Sequence, residues 1–390
     1  MLVSLFGTLC LFFLVYSYFG YPLVVYILGF VIKKKPVVST TSQEGISIVI
    51  ACRNEEGIIA EKLDNTLGLI WKGRPVSEHL LAPNSDLQVI VASDSSDDRT
   101  HEIVQSYKER GVELHSTLER NGKESAQKNS LQFVRNEIIV FTDAKIFLQE
   151  DVLTNISNHF KDQTIGAVSS RDRVVDEHGK SGEGAYVKYE MWVRRLETKM
   201  YSLVGLSGSC FAVRKQVTNN FPENIPSDFC MLIEARTQGL RGVHADNVIA
   251  EYRAVVSDQA EFNRKIRTVV RGMNSVWAYR INILKSEDKL LPFQIFSHKI
   301  CRWLVPFFVI GAFLSSFILM LASGFWLTVF LGFLILFGLA FKGHLDPASR
   351  ENILVKLCFF FTLTNLGIFF AWGKFLKGDS QVVWNPSQKG

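Results

Sequence analysis

Residues 46–52 read Ile-Ser-Ile-Val-Ile-Ala-Cys, and the polar run Arg53-Asn54-Glu55-Glu56-Gly57 follows directly. Seven residues rich in β-branched side chains, without polar/apolar alternation, suit a strand buried on both faces. The helical pattern from Glu55 to Ile70 makes this the opening of a βα unit. The same grammar returns at Leu87–Ser93, LQVIVAS, where DSSDD leads to a helix that Asp98 can cap. A third apolar run, Glu137–Thr142, ends on Asp143. Three such strands predict an α/β fold, a mostly parallel sheet flanked by helices on both faces. Ligands of such sheets gather beyond the carboxyl ends of the strands. Those ends carry Arg53-Asn54-Glu55, Asp94 with Asp97 and Asp98, and Asp143. No GxGxxG follows the first strand and no GxxxxGK[ST] occurs, which counts against a dinucleotide fold and a phosphate-loop hydrolase.

Beyond Asp143 the pattern is mixed. Gly166–Ser170 reads as a strand, Glu183–Met200 as an amphipathic helix and Gly208–Val213 as a strand leading to Arg214. Pro226-Ser227-Asp228 then opens a helix running to about Gln238, and a strand follows near Val243–Ile249.

Charge sets the outer boundaries. The 390 residues are 21% charged, yet no Asp, Glu, Lys or Arg falls in Met1–Ile32 or Trp303–Phe341, and only Lys356 falls in Ile353–Gly373. The remainder is about 27% charged, the density of a water-soluble protein. A spanning helix needs roughly 20 apolar residues. The first gap therefore holds one span, the second two that turn near Ala322-Ser323-Gly324, and the third one more. The predicted organisation is a transmembrane helix at 1–32, a cytosolic domain at 33–288, an interfacial helix at 289–302, about three spans in 303–373 and a polar tail at 374–390. A cleaved signal peptide fits poorly, because no basic residues precede the first apolar run and that run is too long.

Lys33, Lys34 and Lys35 after the first span, and Lys299 and Arg302 before the second, set the domain on the cytoplasmic side of the cell inner or plasma membrane. Lys374 and Lys377 argue for a C-terminus on that same side, against the three-span count. Leu290–Arg302 suits a helix lying among lipid headgroups, or a plain connector. The six cysteines include no CxxC, so they read as reduced thiols. A net charge of +5 without a basic stripe gives no nucleic-acid partner. Membrane lipids are partner enough for the juxtamembrane lysines.

Taken in order, IACRNEEG (50–57), VASDSSDDRT (91–100), NGKESAQKN (121–129), FTDAK (141–145), GLSGSCFAVRK (205–215), PSDF (226–229) and EFNRKIRTVVRG (261–272) resemble the inverting family 2 glycosyltransferases. The resemblance is to the membrane-integrated branch of cellulose, hyaluronan and poly-N-acetylglucosamine synthases. It implies a GT-A-like fold, a nucleotide-diphosphate-sugar donor, UDP-linked by expectation, and Mg²⁺ or Mn²⁺ as cofactor. It also implies a glycan or lipid-linked acceptor and inversion at the anomeric carbon, and it leaves room for a separate secretion or assembly subunit.

Residue by residue, the resemblance assigns Asp94 to the nucleobase, Asn54 and Glu55 to the nucleoside, Lys123 to the diphosphate and Asn129 to fixing the Lys123 loop. Glu55 can equally begin a helix. Asp143 is the implied metal ligand. Relatives often carry a second Asp two positions on, where this chain has Lys145. Either a distant ligand such as His244 completes the metal site or Lys145 supplies positive charge itself. Asp228 resembles the catalytic base, here in Ser-Asp rather than a paired acidic motif. Arg264 and Arg267, in Arg-Lys-Ile-Arg-Thr where processive relatives have QxxRW, would stabilise the leaving diphosphate. Gly208 and Ser209 read as the floor of the acceptor site, and Tyr189 and Trp192 as acceptor contacts or packing residues. Gly-Ser-Cys lacks the strand-turn-helix pattern of a nucleophile.

The resemblance thus points to transfer of sugar onto a growing polysaccharide or glycolipid. Single-sugar transfer to a polyprenyl or ceramide-like carrier, and a non-catalytic nucleotide-sugar-binding scaffold, stand as alternatives.

Overall fold

A computed structural model describes residues 1–32, 44–175, 185–253 and 258–379. The described residues divide into two compact units, one built on the sheet (25–32, 44–175, 185–253 and 274–291) and one on the apolar helices (1–24, 258–273 and 292–379).

The sheet unit is ordered as its side chains require. Strands are β1 (Ile46–Cys52), β2 (Ile70–Trp71), β3 (Arg74–Pro75), β4 (Leu87–Ser93), β5 (Val112–Ser116), β6 (Ile138–Asp143), β7 (Phe147–Leu148), β8 (Ile165–Val175), β9 (Cys210–Arg214) and β10 (Arg241–Arg253). All seven residues of β1 and all seven of β4 are buried. Each large apolar side chain so placed contributes roughly 1.5–3 kcal/mol. Ile46, Ile48 and Ile50 join Leu63, Trp71, Leu87, Val89 and Val140 in the largest core cluster. The helix at Ile59–Gly68 begins four residues later than its pattern suggests, because residues 53–58 form the strand-end turn in which the Glu55 carbonyl accepts from the Ile58 and Ile59 amides.

The eight-stranded sheet runs β5-β4-β1-β6-β9-β8-β10-β7, and β2 and β3 form a separate hairpin. β5, β4, β1 and β6 are mutually parallel, as are β8 and β10. β9 is antiparallel to both β6 and β8, and β7 to β10. The sheet is therefore mixed: six strands run one way and β7 and β9 run against them, so the mostly parallel expectation holds only in part. An apolar run such as Cys-Phe-Ala-Val in β9, buried at every position and closed by buried Arg214, reports two covered faces and carries no signal of direction.

Parallel register assembles the site. Ala51 of β1 stands opposite Ala92 and Asp143, and Cys52 opposite Ser93. The residues immediately beyond these strand ends, Arg53, Asp94 and Ala144, consequently share one edge of the sheet.

Among the described residues, four helical stretches are long and apolar enough to cross a membrane: Leu2–Val31, Leu290–Leu319, Gly324–Leu345 and Ile353–Leu376. These support an integral membrane protein. Inside the helical unit, Leu2–Val15 packs on Cys301–Leu319 at small residues. A Cβ on Gly7 would lie 2.6 Å from the Ser315 side chain, and one on Gly311 2.7 Å from Cys10 Sγ. Close backbone approach at glycine is how helices associate where lipid removes the hydrophobic drive. Leu290–Ile300 opens the second stretch and continues without a break, through a π-helical segment, into Cys301–Leu319, with Ile295, Ser297 and His298 buried. Lys33, Lys34 and Lys35 lie outside the described residues.

Candidate active site

A pocket at the shared strand edge is lined by Ala51, Cys52, Arg53, Glu55, Ala92 and Asp94 from the first two strand ends, and by Lys123, Ala126, Asp143, Ala144, Lys145 and Ile146 opposite them. Its first wall is a tightly bonded turn. Asn54 and Ser95 both take positive φ, 51° and 53°. The Asn54 side chain donates to Asp97 Oδ1 at 2.6 Å and accepts from the Asp97 amide at 3.0 Å. Arg53 donates to the carbonyls of Asp94 and Ser95. Asn54 thus locks the two strand-end loops together and does not itself line the pocket, whereas Arg53 does.

Asp94 is 2% exposed. Its Oδ1 accepts from the amides of Asn121 and Gly122, both at 2.9 Å, while Oδ2 is buried without a partner. A buried carboxylate oxygen left bare is costly, so a ligand N–H or O–H is its natural complement. Gly122, at φ 98°, allows the sharp entry into the helix Lys123–Ser130.

Lys123 then crosses the site. Its ammonium is 2.5 Å from Asp143 Oδ1 and donates to the Gly208 carbonyl at 3.2 Å. Burial pulls the lysine pKa down, but Asp143 above all, with Glu124 and Asp228, outweighs it, and the pKa lies above the ordinary lysine value. Lys145 pairs with buried Glu55 at 3.3 Å. Burial raises the Glu55 carboxyl above its usual range, Lys145 opposes that shift, and Asp143 adds to it. Beneath the turn, fully buried Lys62 donates to the Ile146 carbonyl at 2.5 Å and to Thr142 at 3.4 Å. Burial pushes its pKa down to about 8.

Asp228 occupies the first turn of the helix Ser227–Thr237. Its Oδ1 accepts from the Phe229 amide at 3.0 Å and its carbonyl from the Leu206 amide at 3.2 Å. A Cβ on Gly208 would stand 3.2 Å from Asp228 Oδ2, so Gly208 keeps that carboxylate accessible.

Among the described residues, no group of three or more His, Cys, Asp or Glu side chains could hold a metal by themselves. Asp143 next to a diphosphate still fits Mg²⁺ or Mn²⁺, since such ions are commonly bound through one or two carboxylates with phosphate oxygens and water. His244 is not part of that set. It lies on β10, its Nε2 3.3 Å from Asp246 Oδ1, and does not line the pocket. Burial, then Arg194, lower its pKa to about 4, so the contact with Asp246 is a hydrogen bond from a neutral ring.

Residues 47–221 match the family model for Glycosyl transferase family 2. The chain carries a family 2 glycosyltransferase domain. A beta-monoglucosyldiacylglycerol synthase of Trichormus variabilis is 25% identical over 182 residues, 45% of this chain and 36% of that protein. A poly-beta-1,6-N-acetyl-D-glucosamine synthase of Staphylococcus aureus is 25% identical over 160 residues, 40% of this chain and 36% of that protein. The match thus spans about a third of these relatives' length. A solved mannosyltransferase of Pyrobaculum calidifontis, in complex with GDP-Man and Mn²⁺, superposes with a TM-score of 0.68 at 20% identity, covering 95% of this chain and 99% of that one. At that identity the likeness is one of fold.

Within the glycosyltransferase domain and the segment after it, the structure gathers Glu55, Asp94, Lys123, Asp143, Gly208, Ser209 and Asp228. It does not gather Asn129, which is exposed at the far end of its helix. Tyr189 and Trp192 lie together on the helix Ala185–Met200, rings 6.0 Å apart, with Trp192 46% exposed. Arg264 and Arg267 lie on the helix Asp258–Ala278, in the part belonging to the other unit. Burial, with Arg271 and Arg264 nearby, lowers the Arg267 pKa. Cys210 is no nucleophile, because burial pushes its thiol up to about 12. Arg53 was marked by the sequence only as part of the strand-end run Arg53-Asn54-Glu55, with no role of its own, and Asp172 was not signalled. Only an unusual lysine within the apolar face of the helix Ile59–Gly68 hinted at Lys62.

Proposed function

We propose that the chain is a membrane-bound inverting glycosyltransferase that moves a sugar from a UDP-linked donor to a hydroxyl of a growing polysaccharide or glycolipid. One observation carries this reading: an unpartnered buried carboxylate oxygen on Asp94, the Lys123–Asp143 pair and the accessible Asp228 carboxylate follow one another along a single site.

In this reading Asp94 Oδ2 accepts an N–H of the nucleobase, and the turn locked by Asn54 and Arg53 forms the wall beside the nucleoside. Lys123 and Lys145 exchange their carboxylate partners for the donor's phosphate oxygens. Mg²⁺ or Mn²⁺, when bound, would be held by Asp143 and the phosphates and would neutralise charge on the departing diphosphate. The acceptor oxygen forms its bond to the anomeric carbon while the bond from that carbon to the phosphate oxygen breaks. The electron pair of the broken bond stays on the diphosphate, and the acceptor proton passes to Asp228. Attack opposite the leaving group inverts the anomeric centre. A cytosolic donor sets the domain on the cytoplasmic face of the cell membrane, and Lys299 and Arg302 near the start of the second apolar stretch support that side.

The test separates two carboxylates. Asp228→Asn should lower transfer by about 10²-fold or more and leave donor affinity within about twofold. Asp143→Ala should weaken donor binding and abolish its response to Mn²⁺. Equal loss of affinity and turnover in Asp228→Asn, or an unchanged Mn²⁺ response in Asp143→Ala, would contradict these roles.

A further inference from the structure

Across Gly208 from the base lies a carboxylate with no assigned role. Asp172, on β8, has its Oδ1 2.5 Å from Ser209 Oγ, 2.7 Å from Ser207 Oγ and 3.0 Å from Ser170 Oγ, and its Oδ2 2.6 Å from Ser207 Oγ. The two hydroxyls flanking Gly208 are themselves 2.6 Å apart. The segment that bears them is held firmly. The Ser207 amide donates to Ser169 Oγ at 2.8 Å, and Arg194 donates to Ser169 Oγ at 2.9 Å and to the Leu206 carbonyl at 3.4 Å. Arg194 is thus engaged with the loop's own oxygens.

Hydroxyl arithmetic gives the cluster its character. Each serine brings one proton and two lone pairs, and an ionised carboxylate brings acceptors alone. With Ser207 turned toward Asp172 and one hydroxyl proton serving the contact between Ser207 and Ser209, acceptor lone pairs remain on the half-buried Asp172 and Ser209 oxygens, and these call for donors. The molecule that complements such a patch is neutral and rich in O–H groups. A phosphate monoester offers acceptors and negative charge, which neither the Asp172 nor the Asp228 carboxylate complements. The cations that line the pocket are already engaged: Arg53 with the Asp94 carbonyl, Lys145 with Glu55, and Lys123, which also reaches the Gly208 carbonyl, with Asp143.

We propose that Asp172, with Ser170, Ser207 and Ser209, determines the acceptor class: a neutral polyhydroxyl group, a sugar or a glycerol headgroup, and not a phosphate-bearing carrier. Hydroxyls next to the attacking one donate to the serine oxygens or displace a serine from Asp172, which holds the attacking oxygen toward Asp228. The proton and the leaving group travel as described above, and Asp172 takes part in no bond change. The inference rests on the glycosyltransferase reading of the same site.

The full-length protein in phosphatidylcholine nanodiscs, supplied with radiolabelled UDP-glucose, UDP-N-acetylglucosamine or GDP-mannose, should be offered dioleoylglycerol, an N-acetylglucosamine oligosaccharide and a polyprenyl monophosphate. Label is expected on the glycerolipid or the oligosaccharide, which distinguishes the two sources, and not on the monophosphate. Asp172→Asn should raise the acceptor KM about tenfold, the equivalent of one lost hydrogen bond to a charged group, with donor Kd unchanged. Ser209→Ala should give a smaller rise. Transfer to the monophosphate, or an unchanged acceptor KM in folded Asp172→Asn, overturns the inference and leaves the enzymatic reading intact. If Asp172→Asn does not fold, the wild-type acceptor comparison decides. Absence of donor binding by the wild-type protein would overturn the glycosyltransferase reading and this inference with it.

Discussion

At the residue scale, helix phase and burial decide which side chains reach the site. Successive residues of a helix are about 100° apart, so Gln127, four beyond Lys123, lies near the same face, whereas Asn129, six beyond, points well away from it. The structure has Gln127 fully buried with both amide atoms unpartnered and Asn129 exposed. The expected role of Asn129 therefore has no geometric basis here. Asp94 and Asp143 were legible because each ends an apolar run. Asp172 was not, because its meaning depends on serines 35 and 37 residues away in sequence.

His244 makes a separate prediction at this scale. Its ring Nδ1 is buried without a partner and its pKa is lowered to about 4. The folded protein holds His244 neutral while the unfolded chain takes up a proton below its ordinary value near 6.5, so stability falls as pH drops through 6.5 and levels off near 4. The loss should reach roughly 3 kcal/mol. His244→Asn should flatten this acid limb in denaturant titrations between pH 7 and 4; an equally steep limb in the variant would contradict the assignment.

At the element scale, register carries the chemistry. Pairing of Ala51 with Asp143 and of Cys52 with Ser93 brings residues 92 and 41 apart in sequence to one edge. The three βα openings were readable because both covered faces demand β-branched runs. The direction of β9 and the two-residue strands β2, β3 and β7 were not, since orientation leaves no compositional mark and two residues leave no period. The loop before β9 does for the acceptor side what the strand ends do for the donor side. A side chain at Gly208 would meet Asp228 Oδ2 at 3.2 Å, a contact that a shift of a few tenths of an ångström relieves. Gly208→Ala should therefore lower transfer about tenfold by turning the base, with a stability change of no more than about 1 kcal/mol. Thermal unfolding and initial rates check this together, and full activity in the variant would show that the base needs no such clearance.

At the scale of the whole molecule, charge-free stretches in the sequence correspond to four helices able to cross a membrane, and the charged remainder holds a family 2 glycosyltransferase domain. The spans were legible because a bilayer forbids unpaired charge over about 20 residues. What composition did not show is that the second stretch begins as early as Leu290, since His298, Lys299 and Arg302 interrupt the apolar count while the helix continues through them. On the proposed function, this one chain transfers sugar from a nucleotide donor to a membrane-held or polymeric acceptor. The most direct test uses membranes in which this chain is the only added protein, incubated with labelled nucleotide sugars and followed by product sizing and linkage analysis. Labelled glycolipid or glycan of inverted anomeric configuration is expected, and it should be absent from the Asp228→Asn protein. Donor binding without transfer to any acceptor in those membranes, or a product undiminished in Asp228→Asn, would contradict that function.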